Sequence, residues 1–354
     1  MRLRPMNAQL PGYNESALPT IVLDAMGGDQ APHPEVQGAL LAIGELRGKA
    51  RIVLVGKEDN LKMELPDAPP DLTIVHAPDV ITMDDEPSTI VKSRKESSLY
   101  VGLDMVRAGK AQAFVSAGNT GAVMATATML CGRIEGVSRP TIGSFFPTSG
   151  SHPTLVLDVG ANVGSKARFL HDYAVMGSVY YRLMMNEPSP TVGLLNVGEE
   201  HGKGTDTVKE TFSLLESANI NFAGNVEGRD ILNGKVHIVV CDGFEGNIIL
   251  KFAESVLGFL RHRFMNYANK GLVNKLRMAA LKPVLKSVLK DMDYQTYGGV
   301  PLLGVNGVVV IGHGSSSPVA IKNMIIKAFE VVRNDVNGNI RQALMPQQQE
   351  SHAQ

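Results

Sequence analysis

The feature that most constrains the fold is an alternation. Short β-branched runs recur at Thr20–Asp24, Arg51–Val55, Leu72–His76, Ala113–Ser116, Thr154–Asp158, Val192–Asn196, His237–Cys241 and Gly307–Ile311. Segments with helical spacing lie between most of them, among them Pro34–Arg47, Ser97–Ala108, Thr120–Leu130 and Leu170–Met185. Continuous apolar runs, unlike alternating ones, belong to strands covered on both faces. The pattern therefore predicts an α/β fold, a three-layer α/β/α arrangement around a mostly parallel sheet. Residues 20–343 read as one α/β unit, 1–19 as an extension and 344–354 as a tail. The alternation breaks once. From 254 to 293 the segment reads as helical, basic and protruding.

Composition narrows the function. The chain has 354 residues, 44% hydrophobic and 19% charged, with a formal net charge of -1. That balance excludes a disordered chain and a general polyanion binder. No apolar run approaches the roughly 18 residues that a spanning helix needs, and the first 20 residues lack the apolar core of a secretory leader. Cys131 and Cys241 supply neither a disulfide framework nor a metal cluster, which suits a reducing cytoplasm. With no Trp and 5% aromatic residues there are few platforms for stacking bases, so nucleic acid is not an expected partner.

Five predicted strands end in small, polar, Gly-rich loops: Ala25–Asp29, Ala117–Gly121, Val159–Asn162, Asp242–Asn247 and Gly312–Pro318. In an open parallel sheet the ligand crevice lies at the carboxyl ends of the strands, so these loops are expected to converge on one site. Glycines allow close approach to backbone, and helix N-termini offer unpaired N–H groups suited to phosphate. Ser317-Pro318 has the form of a helix start. Any one such turn is weak evidence; five in one chain are stronger. No P-loop, no G-x-G-x-x-G, no G-x-S-x-G and no H-E-x-x-H pattern occurs, which argues against nucleotide hydrolysis, dinucleotide redox chemistry, serine-hydrolase chemistry and a zinc site. Lys92, Arg94 and Lys95 form a basic cluster that is either a solvated helix start or an anion-binding patch.

The combination of stretches resembles the bacterial phosphate acyltransferase family known as PlsX. The likeness rests on Leu23-Asp24-Ala25-Met26-Gly27-Gly28-Asp29, Ser116-Ala117-Gly118-Asn119-Thr120-Gly121-Ala122 and Leu157-Asp158-Val159-Gly160-Ala161-Asn162. It continues through Met176-Gly177-Ser178, Leu195-Asn196-Val197-Gly198-Glu199-Glu200, Val240-Cys241-Asp242-Gly243-Phe244-Glu245-Gly246-Asn247 and the run from Tyr297 to Gly307. It departs at Gly164-Ser165, where the family often has Asp-Cys, so no role can be carried over for that acid or thiol.

The resemblance implies transfer of a long-chain acyl group from the thioester of acyl carrier protein to inorganic phosphate. The acyl phosphate formed would feed a membrane glycerol-phosphate acyltransferase. It implies a homodimer, no cofactor and no metal. A fold like that of phosphotransacetylases or of isocitrate and isopropylmalate dehydrogenases is expected. Gly118, Asn119, Thr120 and Gly121 would hold phosphate or the oxyanion, with Gly27, Gly28 and Asp29 as the opposite wall and Lys92, Arg94 and Lys95 neutralising charge. Asn162 and Asn247 would donate to the acyl carbonyl. His313 would protonate the departing thiolate, its alternative being a structural turn histidine, and Lys251 would share the site face of a helix with Asn247. The alternative enzyme reading is a phosphotransacetylase-like transfer between acyl-CoA and phosphate; a dehydrogenase and a membrane-associated scaffold are more remote.

Residues 270–291 carry Lys270, Lys275, Arg277, Lys282, Lys286 and Lys290 against Asp291 alone, a net charge of +5. Apolar residues at helical spacing make each half amphipathic, and Pro283 is expected to kink or divide them. Three readings compete: a packed or dimer-forming helix pair, a dock for the acidic carrier protein, and a peripheral seat on the cytoplasmic face of an anionic membrane.

Overall fold

The computed structural model describes residues 18–288 and 298–345. In chain order the elements are β1 (Thr20–Asp24), α1 (His33–Leu46), β2 (Arg51–Gly56), α2 (Glu58–Glu64), β3 (Leu72–His76), α3 (Pro87–Ser93), α4 (Ser98–Arg107), β4 (Ala113–Ser116) and α5 (Thr120–Cys131). Then come β5 (Thr141–Phe146), β6 (Thr154–Leu157), α6 (Ala167–Met185), β7 (Thr191–Leu195), α7 (Asp206–Glu216), β8 (Asn221–Val226), α8 (Gly228–Asn233), β9 (Ile238–Val240), α9 (Gly243–Ala268) and α10 (Leu272–Val288). The chain closes with β10 (Val300–Leu303), β11 (Val308–Ile311), α11 (Pro318–Arg333) and α12 (Val336–Leu344).

The range read from sequence as one α/β unit contains two compact units. The first comprises Met1–Pro140, Val175–Ser189 and Gly298–Gln354, the second Thr141–Ala174 and Pro190–Tyr297. In the first, the strands run in the order β3-β2-β1-β4-β11-β10, all parallel except β10 against β11. Successive side chains of a strand point to opposite faces. Ile21, Val22 and Leu23 are nevertheless all fully buried, so both faces of β1 are covered. The cover comes from α1 packed with α11 and from α4 packed with α5.

In the second unit the order is β5-β6-β9-β7-β8, parallel except β5 against β6. Leu155, Val156 and Leu157 on β6 and Ile238, Val239 and Val240 on β9 are fully buried in succession, the same signature of a doubly covered sheet. The mostly parallel α/β class is thus as the sequence implies.

The strands that sequence patterning does not reveal are β5, β8 and β10. Each carries residues that depress strand signal: Gly143 and Ser144, Asn221 and Asn225 with Gly224, and Pro301. The basic segment is α9 followed by α10, which pack against each other. Pro283 lies inside α10 without dividing it; its missing N–H costs Ala279 one helical partner and the helix continues. Lys275, Arg277 and Lys282 are exposed. Of Lys286 only the backbone is described, and Lys290 lies outside the described residues, as do positions 289–293.

Candidate active site

The five Gly-rich loops fall into two clusters, three in the first unit and two in the second. In the first unit β1, β4 and β11 are parallel neighbours, so the loops that follow them leave from one edge. Hydrogen bonds tie these loops together. The Ser116 hydroxyl donates to Asp24 Oδ2 at 2.8 Å and accepts from Gly118 N–H at 3.0 Å. Gly312 N–H donates to Ser116 O, and Asp29 N–H to Gly314 O, both at 2.8 Å. Gly27 is required by contact: a Cβ there would lie 2.8 Å from Asp24 Oδ2 and 2.9 Å from both Gly118 N and Ser116 Oγ. Two long helices begin at this edge. Asn119 caps α5 by accepting from Ala122 N–H, and Ser317 caps α11 by accepting from Ala320 N–H. The first-turn N–H groups of α5, at Thr120 and Gly121, have no acceptor within the helix. They present partial positive charge at the edge where the loops close.

Several expected roles change once the partners are seen. Both ends of the Asn119 amide are occupied: Oδ1 by the cap, Nδ2 by the carbonyls of Thr82, Met83 and Asp85 at 3.0–3.3 Å. Asn119 therefore fixes the 82–85 loop to the helix start, and the N–H groups left open there are those of the backbone beside it. The Arg94 guanidinium binds Asp79 through two nitrogens at 2.5 and 2.6 Å and Asp85 at 3.2 Å. Its charge is balanced within the protein, so an anion would have to share the guanidinium with Asp79 and Asp85. Asp79 raises the guanidinium pKa further, and Arg94 in turn holds Asp79 below the usual carboxylate range. Lys92 and Lys95 remain exposed cations. His313 is exposed, and its Nδ1 accepts from Ser315 N–H at 3.2 Å, which places the proton of the neutral ring on Nε2.

In the second unit β6 and β9 are parallel neighbours, and their loops interlock. Asp158 is fully buried. Its Oδ1 accepts from Gly160 N–H and Ala161 N–H at 3.0 and 2.8 Å, and its Oδ2 from Asn162 N–H and Asn162 Nδ2, both at 2.9 Å. Gly243 N–H donates to Asn162 O at 2.9 Å, and Ser165 N–H to Asp242 Oδ2 at 2.6 Å. Gly160 (φ 131°) lies under Asn247, so close that a Cβ would touch Asn247 Oδ1 at 3.3 Å. The loops that carry Asn162 and Asn247 are thus packed against each other. Lys251 is not brought in with them. It is exposed and donates to Glu254 on its own helix at 2.9 Å.

The sequence reading missed the carboxylates beneath these loops. Burial pushes Asp24 and Asp158 above the usual carboxylate range against the hydrogen bonds they accept. Asp242 is partly buried, yet Ser165 and Phe244 N–H groups hold it below that range. Glu35, only 1% exposed on α1, sits against Gly28, where a Cβ would collide with Oε1. Burial pushes its pKa up to about 7, with Asp24 adding to the rise and the N–H groups of Glu35 and Gly28 opposing it. The strand-end position of Asp24 and Asp158 was a usable signal; Glu35 gave none, because an acid in a first helical turn ordinarily reads as a solvated dipole partner.

Among the described residues no group of His, Cys, Asp and Glu is arranged to hold a metal ion, and no helix is long and apolar enough to cross a membrane.

Comparison with known proteins identifies the family. The family model described as fatty acid synthesis protein matches residues 19–339. A phosphate acyltransferase from Chlorobaculum parvum is 47% identical over 335 residues, covering 92% of this chain and 98% of its own. One from Brevibacillus brevis is 46% identical over 325 residues, covering 92% and 97%. Among solved structures, an EutD phosphotransacetylase from Staphylococcus aureus matches with a TM-score of 0.57 at 18% identity, covering 89% of this chain and 94% of that one. A phosphotransacetylase from Streptococcus pyogenes matches with a TM-score of 0.58 at 18% identity over the same shares. At that identity the structures speak for the fold alone. The chain belongs to the fatty acid synthesis protein family.

Proposed function

From membership of that family, we propose that the chain is an acyltransferase that moves a long-chain fatty acyl group from the thioester of acyl carrier protein to inorganic phosphate. The observation that carries this reading is the match to phosphate acyltransferases across 92% of the chain. The loop chemistry agrees with it.

A phosphate oxygen attacks the thioester carbonyl carbon; a C–O bond forms, the C–S bond breaks and the electron pair leaves on sulfur. Little acid or base strength is needed. Phosphate is dianionic in substantial part near neutrality, its second pKa being about 6 to 7, and a thiol of pKa about 8.5 leaves readily. The demand is for binding the anion and stabilising the oxyanion. In the first unit the backbone at Gly27, Gly28, Gly118, Thr120 and Gly121, with Lys92 and Lys95, supplies anion binding. Asp29 shapes the same wall by its tie to Gly314. His313 Nε2–H is suited to donating a hydrogen bond to the departing thiolate, which takes its proton from water. In the second unit Asn162 and Asn247 carry the amides suited to a carbonyl oxygen, Asn162 being oriented by Asp158.

Incubation with hexadecanoyl carrier protein should release thiol only when phosphate is present. Release without phosphate, or none with it, would overturn the reading. Acyl-CoA as donor separates the phosphotransacetylase-like alternative: carrier protein is expected to be the better donor.

The finer proposals concern α9 and α10. Leu272, Val273 and Leu276 are exposed beside Lys275 and Arg277. Such a surface suits a second copy of the chain, an acidic carrier protein or an anionic membrane that would lead the product to a membrane glycerol-phosphate acyltransferase. Each basic residue near such a membrane adds about 1 kcal/mol. Charge reversal at Lys275, Arg277 and Lys282 should abolish sedimentation with anionic vesicles and spare thiol release if lipid is the partner. Loss of thiol release with carrier protein alone would favour the carrier, and a change in molar mass the dimer.

A further inference from the structure

The second unit contains a cavity of about 550 Å³ to which no role has yet been given. Its floor is Leu170, Leu194 and Cys241, all buried, and its walls include Leu195, Val208 and Ile249. The volume lies in the range of small-molecule sites, which are apolar clefts with a few polar groups at the rim. Three properties identify the occupant. No Lys, Arg or His lines the cavity, while the carboxylates Asp242 and Glu245 do. A phosphate, a nucleotide or the phosphates of CoA would meet negative charge there. The cavity is also continuous with the candidate site of this unit: Gly164 and Ser165 belong to the loop held by Asp158, and Asp242 starts the helix that carries Asn247. Finally, Ile248 at the rim continues into Phe244 and Phe252 on α9, four residues to either side on one helical face, and all three are more than half exposed.

We propose that this cavity seats the acyl chain of the thioester donor, with Val208 and Ile249 setting the chain length it accepts. The proposal rests on the reading above that the donor carries a long chain. An uncharged chain suits a lining without cations, and a carbonyl near Asn162 and Asn247 would leave its tail directed to the apolar floor. Each methylene transferred from water to such a lining improves binding about four-fold, so the cavity predicts a preference for long over short donors.

The test is Val208→Trp, which fills the cavity from a half-buried wall. Phosphate-dependent thiol release is measured with butanoyl and hexadecanoyl carrier protein. The expected result is a loss of about 10-fold or more in kcat/KM for hexadecanoyl and little change for butanoyl. Equal losses for both, which would mark the cavity as a seat for the pantetheine arm, or no loss for either, would overturn the proposal. If Val208→Trp does not fold, Val208→Ala and Ile249→Ala replace it, and both should shift the preference toward longer chains; an unchanged preference overturns it. Calorimetry with hexadecanol, an uncharged chain of the same length, separates the cavity from the reaction. Binding to the unaltered chain that Val208→Trp abolishes supports the assignment even if no donor releases thiol, an outcome that would sink the acyltransferase reading alone. Absence of hexadecanol binding sinks the cavity alone.

Discussion

Asp24 in the first unit and Asp158 in the second stand at the same station, the carboxyl end of a parallel strand, but they brace their loops differently. Asp158 accepts three backbone N–H groups and one amide of its own loop. Asp24 accepts one backbone N–H, from Met26 at 3.2 Å, and the hydroxyls of Ser116 on the neighbouring strand and of Ser98 at the start of α4. The first arrangement folds a single loop around one carboxylate; the second cross-links two loops and leaves their glycines packed edge to edge. The surroundings differ in the same sense. The loops of the first unit close over backbone N–H groups and two helix starts, a setting for an anion. Those of the second open onto an apolar cavity. Two sheets of one class thus differ in how the carboxylates buried under their loops are held.

The largest expected effect tests how tightly the second cluster is packed. A Cβ on Gly246 would collide with the carbonyl oxygen of Asp158, backbone against backbone, with no side chain able to move away. Gly246→Ala should cost about 4 kcal/mol or prevent folding, read from urea denaturation. Gly27→Ala meets the backbone nitrogen of Gly118 and the side chains of Asp24 and Ser116, all at 2.8–2.9 Å, a milder overlap, so it should cost about half as much by the same principle. Equal costs would mean that the two clusters are equally rigid.

Next in size is a pH effect centred on Glu35 in the first unit. Glu35 keeps its proton in the folded state up to about pH 7, against 4.5 for an ordinary glutamate. Between those values the folded chain binds more protons than the unfolded one, so stability is full below pH 4.5 and falls as pH rises through 7. The contribution lost is about 3 kcal/mol. Asp24 and Asp158 are raised in the same direction and add to the fall. Glu35→Gln removes one share of it. The decline in unfolding free energy between pH 5 and 8 should shrink by that amount, and an unchanged slope would show that the carboxyl is ionised in place.

Replacing each aspartate by asparagine should then separate the two braces. Backbone N–H groups can only donate, so Asp158→Asn turns an NH2 toward donors that cannot reverse, at a cost of about 2 kcal/mol. The Ser116 hydroxyl can rotate and accept instead, so Asp24→Asn should cost about 1 kcal/mol on the same scale. Because Asn162 is oriented through Asp158, thiol release should fall about 10-fold in Asp158→Asn.

Much of this was legible in the sequence, and the reasons differ by residue. The eight β-branched runs fall on strands, most of them because burial on both faces writes a continuous apolar signal; β3 is the exception, largely half-buried or exposed. The loops after β1, β4 and β11 announce themselves by Gly and by the Asn and Ser caps. Partnership is what local patterning does not carry. Nothing near Arg94 states that Asp79, 15 residues earlier, will take its guanidinium. Asn119 looks like a ligand because capping and anion binding ask for the same residue at the same place. The cavity was equally hidden, since its lining comes from α6, β7, α7 and α9, and only their packing defines the space between them.

Lys251 supplies the smallest expected effect and the sharpest check on reading function from spacing. Four residues after Asn247 it lies on the same helical face, and that alone suggested a catalytic cation. The side chain is instead exposed and paired with Glu254 at 2.9 Å. Exposed pairs of this kind contribute roughly 0–1 kcal/mol. Lys251→Ala should therefore change unfolding free energy by no more than about 0.5 kcal/mol on that scale and leave phosphate-dependent thiol release within about two-fold, too small a change for loss of a charge on the reacting atoms. A loss of 100-fold, as expected for a group that stabilises the oxyanion, would mean that the ammonium leaves Glu254 when substrate binds, and Asn247 and Lys251 would then have to be treated as one device.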